Sequence, residues 1–314
     1  MTYSIVALDR ATGELGVAVQ TRWFGVGAIC PWVEPGVGAV ATQSFVEPAY
    51  GPRALALLRE GVSPEDALAR LLAADPDREV RQVGVVDSAG RTATHTGARC
   101  VAAALHAAGD GVSCQANMMA RDTVPAAMLA AYEGASGDLP DRLFAALRAA
   151  EDEGGDIRGR QSAVLLVAPG RGSAIAAPGA PVPGAEAMEP WRRRMDLRVD
   201  DAVAPLDELA RLLRFARGQE ALDLADVREA ADDAAGVLDA YRAAVRLVPE
   251  DDQIAWMAGG RLVAAGAIEE GLPLLRRAAE AMPTWPEHSR RTAAAGHITA
   301  EAAAQLAGLV EVRT

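Results

Sequence analysis

The 314-residue chain contains no lysine, so its 31 basic residues are all arginine. That absence removes whole classes of chemistry. A Walker phosphate-binding loop needs its Lys, which excludes a P-loop NTPase. Schiff-base aldolases, pyridoxal-lysine enzymes and Ser–Lys hydrolases are excluded with it. Cysteine is scarce. Cys30, Cys100 and Cys114 are odd in number and widely spaced, so neither a disulfide framework nor a zinc knuckle is expected. Buried thiols in a reducing compartment are the expectation. His106, His288 and His297 are isolated in sequence, and no metal site or cofactor is expected. No apolar stretch approaches the roughly 20 residues of a membrane span. The longest apolar run near a terminus lacks a basic flank, which argues against a secretory leader and for a cytoplasmic location. The net charge of −12 provides no basic footprint for nucleic acid or an anionic membrane, and neither is expected as a partner.

What is present reads as globular: 50% hydrophobic and 24% charged residues, in a chain long enough for two domains. Residues 3–8 alternate as a strand, the cluster Asp9-Arg10-Ala11-Thr12-Gly13 turns, and residues 14–20 return as a hairpin partner. Gly25, Gly27, Gly36 and Gly38 punctuate further short strands, the clearest spanning 37–43. A helix starts near Tyr50-Gly51-Pro52, and another after Ser63, with Pro64, Glu65 and Asp66 in its first turn. Residues 80–86 and 91–96 form a strand pair, 111–117 a further strand, 122–133 and 139–151 two helices, and 162–167 an apolar strand. Segregated runs of this kind predict α+β layers. Residues 168–190, rich in Pro and Gly, read as a long loop.

From about residue 219 onward only helical patterns remain. Pro249 and Pro283 are 34 residues apart, as are Ala244 and Ala278. Gly259, Leu262, Gly266, Ile268, Leu275, Ala278 and Pro283 fit one tetratricopeptide-like unit. The alternative is a plain bundle of helices packed on the first domain. On either reading Trp256 and Trp285 fit helix-packing positions better than a ligand cage. The expected boundaries are 1–217 for the first domain and 218–314 for the second.

The opening residues carry the sharpest chemical suggestion. Removal of Met1 before the small Thr2 would place a hydroxyl and a free α-amine on one residue at the mouth of a sheet. A threonine hydroxyl with its own amine as base is a known nucleophile pairing. That amine, with a reference pKa of about 7.7–8.0, is partly unprotonated near neutrality.

Thr2 to Asp9, then Gly13, then Gly16-Val17-Ala18-Val19, is similar to the opening hairpin of N-terminal-nucleophile (Ntn) hydrolases. A closer resemblance is to a bacterial and archaeal branch, domain of unknown function 1028. It is carried by Val40-Ala41-Thr42-Gln43, Tyr50-Gly51-Pro52, Arg81-Gln82, Thr96-Gly97, Gln115-Ala116-Asn117, Gly154-Gly155-Asp156 and Arg158-Gly159-Arg160-Gln161-Ser162-Ala163, over roughly residues 1–215. The resemblance implies a four-layer αββα sandwich followed here by the helical domain. The likeness to the Ntn hydrolases, rather than to that branch, implies hydrolysis of an amide, without cofactor, by Thr2.

Such a reaction needs an oxyanion hole, one donor of which is worth on the order of 3 kcal/mol. The candidate donors are the side-chain amides of Gln43, Gln115 and Asn117 and the backbone at Thr96-Gly97. Gln115 and Asn117, two apart on a strand, share a face; they need either neighbouring loops or a polar ligand as partners. Asp156, Arg158, Arg160 and Ser162 form the polar entry to a strand. One of these arginines, or Arg81, can hold a substrate carboxylate, or an arginine can pair with Asp156 to pin the loop. The substrate expected is a small peptide-like or N-acyl amide. The helical tail is expected to recruit a protein partner, mediate self-association or cap the site. The rivals are an inactive fold that binds ligand or acts as a scaffold, and a hydrolase with an internal nucleophile such as Ser44 with His95 and Asp87.

Overall fold

The structure, a computed structural model, describes residues 2–170 and 189–311. The greater part of the Pro/Gly-rich segment expected as a loop lies outside the described residues. The chain divides into two units, Met1–Leu213 and Arg214–Thr314.

In chain order the first unit holds β1 (Thr2–Leu8), β2 (Leu15–Thr21), β3 (Pro31–Glu34), β4 (Gly38–Ser44), α1 (Tyr50–Arg59), α2 (Pro64–Ala74), β5 (Arg81–Asp87), β6 (Thr92–Thr96), β7 (Leu105–Gly109) and β8 (Val112–Asn117). There follow α3 (Val124–Gly134), α4 (Leu139–Asp152), β9 (Ser162–Ala168), β10 (Met195–Val199) and the start of α5 (Pro205–Ala230). Two antiparallel sheets result, ordered β10-β9-β2-β1-β8-β7 and β3-β4-β5-β6. Helices α3 and α4 cover the outer face of the larger sheet, α1 and α2 that of the smaller, and β1, β2, β5 and β8 bring the inner faces together.

Most strands and helices expected from periodicity are present within a few residues. The Ser63 cap is formed as expected: its hydroxyl accepts the Asp66 N–H at 3.1 Å. The edge strand β7 was not legible. Leu-His-Ala-Ala-Gly has weak strand propensity, and its pairing with β8 creates the strand.

The space between the sheets has two characters. On one side Val6, Leu15, Val17, Val19, Ala39, Ala41, Val86, Val164 and Leu166 form an apolar core. Toward β8 the same face carries neutral polar side chains, because Thr2, Ser4 and Val6 pair with Asn117, Gln115 and Ser113. Gln43 pairs with Gln82 on the facing sheet. Gly84 leaves room there for Gln115, whose amide nitrogen would lie 2.2 Å from an added Cβ. This polar seam opens at the end of the strands that bears Thr2.

The second unit is all helical: the remainder of α5, then α6 (Ala234–Leu247), α7 (Asp252–Ala264), α8 (Ile268–Ala281), α9 (Trp285–Ala294) and α10 (Ala300–Glu311). Gly259 of α7 faces Gly271 of α8 so closely that a Cβ on Gly271 would lie 2.6 Å from the Gly259 carbonyl oxygen. Trp256 stacks on Trp285 with ring centroids 5.9 Å apart, and its indole N–H donates to Ser289 at 3.1 Å. The tryptophans are packing residues, as expected. Among the described residues no helix is long and apolar enough to cross a membrane, and no group of three or more His, Cys, Asp or Glu side chains is poised for a metal ion.

Candidate functional site

A cleft of about 330 Å³ opens where β1 starts and β2, β4 and β8 end. Thr2, Thr21, Gln43, Ser44, Asn117 and Arg158 supply its polar wall, and Trp23, Val26, Ile29, Phe45 and Val46 much of its apolar wall. Hairpin register places Thr2 opposite Thr21, and their hydroxyls are hydrogen-bonded at 3.1 Å. Thr2 is only 5% exposed. On the opposite face of β1, Tyr3 donates its phenolic proton to Glu151 at 2.7 Å, tying α4 to the strand behind Thr2. Burial, reinforced by Glu151, pushes that phenol above its usual range and keeps it a donor.

An amide network grips the backbone of Thr2 from both sheets. The Gln43 amide nitrogen donates to the Thr2 carbonyl at 3.2 Å and to Gln82 Oε1 at 2.7 Å. Asn117 Nδ2 donates to the same carbonyl at 3.4 Å and to Gln82 Oε1 at 2.9 Å. Gln82 is the hub, and sequence reasoning did not select it as a site residue. Its own nitrogen donates to the carbonyls of Leu105 at 3.1 Å and Ala116 at 3.0 Å. A carbonyl accepts only, so those two contacts fix which end of Gln82 is nitrogen. Its oxygen then faces Gln43 and Asn117, which must both present nitrogen.

Four of the expected site residues line the cleft: Thr2, Gln43, Asn117 and Arg158. The others have work elsewhere. Gln115 shares the inward face with Asn117, as expected, but its oxygen accepts from Ser4 at 2.9 Å and its nitrogen donates to Ser113 at 2.5 Å. Thr96 accepts from Gln82 at 3.0 Å. Gly97 donates its N–H to the Arg81 carbonyl at 3.0 Å and packs on the backbone of Arg78 and Glu79. Arg81 pairs with Asp75 at 2.8 Å and donates to the Phe45 carbonyl at 2.7 Å, holding the rim loop. Ser162 donates to the Trp23 carbonyl at 2.5 Å and accepts the Val26 N–H at 3.2 Å, fixing the opposite rim. Arg160 pairs with Glu151 at 3.1 Å. Asp156 is buried, pairs with Arg158 at 3.0 Å and accepts the Arg22 N–H at 3.1 Å. The loop-pinning alternative therefore describes Asp156, and Arg158 is at once its partner and part of the cleft wall.

The Ser44–His95–Asp87 triad is not assembled. Ser44 lies on the cleft, but register places it opposite Arg81 at one end of β5 while Asp87 sits at the other. Six residues of strand separate those ends by roughly 20 Å. Asp87 binds Arg91 at 2.6 Å, and His95 contacts the Arg78 carbonyl at 2.8 Å. Cys30 also lines the cleft, yet burial pushes its thiol up to about 12, and it donates to the Thr42 carbonyl at 2.7 Å.

Thr21, Trp23 and Phe45 also line the cleft and were not selected as site residues; Ser44, considered only as a rival nucleophile, lines it too. Thr21 was within reach, because counting outward from the Asp9–Gly13 turn pairs it with Thr2. Backbone strain gives independent support for the location. Of the three non-glycine residues with left-handed φ among the described residues, Ser44 (φ 73) and Met118 (φ 56) both border the cleft. Such residues concentrate at functional sites.

The chain belongs to a family of unknown function, DUF1028, whose model matches residues 2–209. It is similar to a protein of Silicibacter pomeroyi from the same family, known from a crystal structure. The TM-score is 0.58 and the identity 28%, over 68% of this chain and 88% of the other. No curated protein matches the chain.

Proposed function

We propose that the first unit is an Ntn-type amidohydrolase in which Thr2, exposed by removal of Met1, is nucleophile and base together. The observation that carries this reading is the placement of Thr2: buried at the head of a central strand, lining the cleft, its carbonyl held from both sheets. The layering of helices on two facing sheets supports it. So does the state of Cys30, the other nucleophilic atom type on the cleft wall, which burial silences.

The Thr2 hydroxyl oxygen attacks the amide carbonyl carbon, and its proton passes to the Thr2 amine. The tetrahedral intermediate expels the substrate amine, which takes that proton. The resulting Thr2 ester is hydrolysed by water. A general base of this kind contributes about 10²–10⁴ in rate. The substrate class we favour is a small peptide-like or N-acyl amide. Residues 218–314 we read as a tetratricopeptide-like domain for a partner or for self-association. The 34-residue spacing of Pro249 and Pro283 and the Gly259–Gly271 approach support this.

One observation favours a second reading, a ligand-binding fold without catalysis. Both amide protons of Gln43 and of Asn117 are engaged by Thr2 and Gln82, so neither side chain offers a free donor to an oxyanion. On the hydrolase reading the oxyanion donors are therefore backbone N–H groups. Intact-mass measurement of purified protein, followed by assay of wild type and Thr2→Ala on a panel of amides, separates the readings. We expect a terminus beginning at Thr2 and a loss of about 100-fold or more in the variant. Activity undiminished in Thr2→Ala would falsify the mechanism.

A further inference from the structure

The amide network leaves a pair of acceptors at the cleft. Because Gln82 is fixed by the Leu105 and Ala116 carbonyls, the nitrogens of Gln43 and Asn117 are turned to Gln82 and Thr2. Their oxygens, Gln43 Oε1 and Asn117 Oδ1, are buried and have no hydrogen-bond partner among the described residues. The side chains are 1% and 0% exposed, and both line the cleft. A buried acceptor without a donor is costly, and a ligand that supplies the donor recovers that cost.

We infer that these two oxygens form a subsite for an N–H donor, so that the cleft selects ligands with a carboxamide N–H beside an apolar body. Trp23, Val26, Ile29 and Phe45 form the wall for that body. Trp23 and Phe45 are more than half exposed, so the wall continues to the rim. A free carboxylate would set its own acceptor oxygens against two more acceptors. Arg158 does not offset this fully, because Asp156 already pairs with it. Gln82 acts here as a positioning residue: it is not among the residues lining the cleft, and by taking the nitrogens of Gln43 and Asn117 on its oxygen it leaves their oxygens without a donor.

This inference rests on the cleft being the substrate site, but its test does not rest on turnover. The full chain carrying Thr2→Ala is used, since Ala, like Thr, permits removal of Met1. Binding of benzamide, acetophenone and benzoate is measured by titration calorimetry and by NMR. Benzamide and acetophenone share shape and carbonyl and differ in NH₂ against CH₃. We expect benzamide to bind about tenfold or more tighter than acetophenone, the loss expected when buried acceptors stay unpaired, and benzoate to bind more weakly than benzamide. Gln43→Met, which removes one acceptor at similar volume, should shrink the preference over acetophenone. Asn117→Leu gives the same comparison at the second acceptor should the first variant not fold. Equal binding of benzamide and acetophenone overturns the subsite, as does tighter binding of benzoate or no detectable benzamide binding at its solubility limit. An acceptor pair already filled by the Thr2 α-amine would show no preference in a protein trimmed to residue 2, and that result counts against the proposal too. Loss of turnover in Thr2→Ala with the preference intact confirms both readings. A preference intact with no amide turned over by wild type sinks only the hydrolase.

Discussion

Cys30 and Gln20 show how environment, rather than residue type, sets chemistry at single positions. Cys30 shares the cleft with Thr2, but its thiol is raised to about 12 by burial, which leaves almost no thiolate near neutrality. Native protein treated with iodoacetamide at about pH 7.5 should remain unmodified at Cys30, as read by peptide mass mapping. Alkylation there at the rate of an open thiol would contradict the burial argument. Gln20 is 0% exposed on the helix-facing side of β2, opposite Tyr3. Neither its amide nitrogen nor its oxygen has a partner among the described residues. Gln20→Met keeps the length of the side chain and removes both polar atoms. We expect stabilisation by about 1–3 kcal/mol, measured by denaturant unfolding. A loss of stability would mean that the amide is satisfied in solution.

At the scale of elements, two contacts reverse or shape ordinary expectations. Gly→Ala inside a helix normally stabilises by roughly 0.5–1 kcal/mol. In α8 the sign should invert, since the Cβ of Gly271→Ala would press on the carbonyl oxygen of Gly259 at 2.6 Å. We expect destabilisation by about 1–3 kcal/mol from the forced separation of α7 and α8. The second contact joins the segment after α2 to the start of β5. A hydrogen bond from Arg81 holds the Asp75 carboxyl below its usual range, against the opposing effect of burial. Tyr50 adds a hydroxyl donor to the same carboxylate at 3.0 Å. A depressed carboxylate contributes stability that is full above its unfolded value of about 3.9 and is lost as pH falls through the lower folded value. The melting-temperature gap between wild type and Asp75→Asn should therefore narrow as pH falls from about 5 to about 3. A gap that widens over that range would reverse the assignment.

For the whole molecule, the two units have separate cores. One lies between the sheets, around Val6, Val17 and Leu166. Another gathers Leu222, Val237, Tyr241 and Ile254. Damage to the α7–α8 hairpin should thus stay local. In Gly271→Ala, hydrogen exchange should rise within residues 214–311 and leave the β1 and β8 amides protected. Matching loss of protection in β1 would show that the two cores unfold as one. The first unit also carries its polar seam at a definite cost. Seven neutral side chains (Thr2, Ser4, Gln43, Gln82, Ser113, Gln115 and Asn117) are buried there, and each loses its hydration on folding. They are tolerated because their hydrogen bonds are nearly all made, and the unmade ones lie on the cleft.

Local physics was enough to read much of this from the chain. Alternation and turn residues located the β1–β2 hairpin, and with it Thr2 at a strand head. The cap at Ser63 and the apolar faces of α2 and α4 follow from spacing of 3.6 residues per turn. The absence of lysine excluded several chemistries outright. Two-residue spacing put Gln115 and Asn117 on one face. What spacing cannot encode is which partner a side chain meets across 35 or 115 residues. Tertiary packing decided that Gln115 is consumed by Ser4 and Ser113 while Asn117 meets Gln82 and Thr2. It decided that Arg81 and Ser162 pin the rim, that Ser44 and Asp87 lie at opposite ends of β5, and that Gln82 orients the amides around Thr2. A hydrogen bond depends on distance and direction in space, and only the paired sheets supply those.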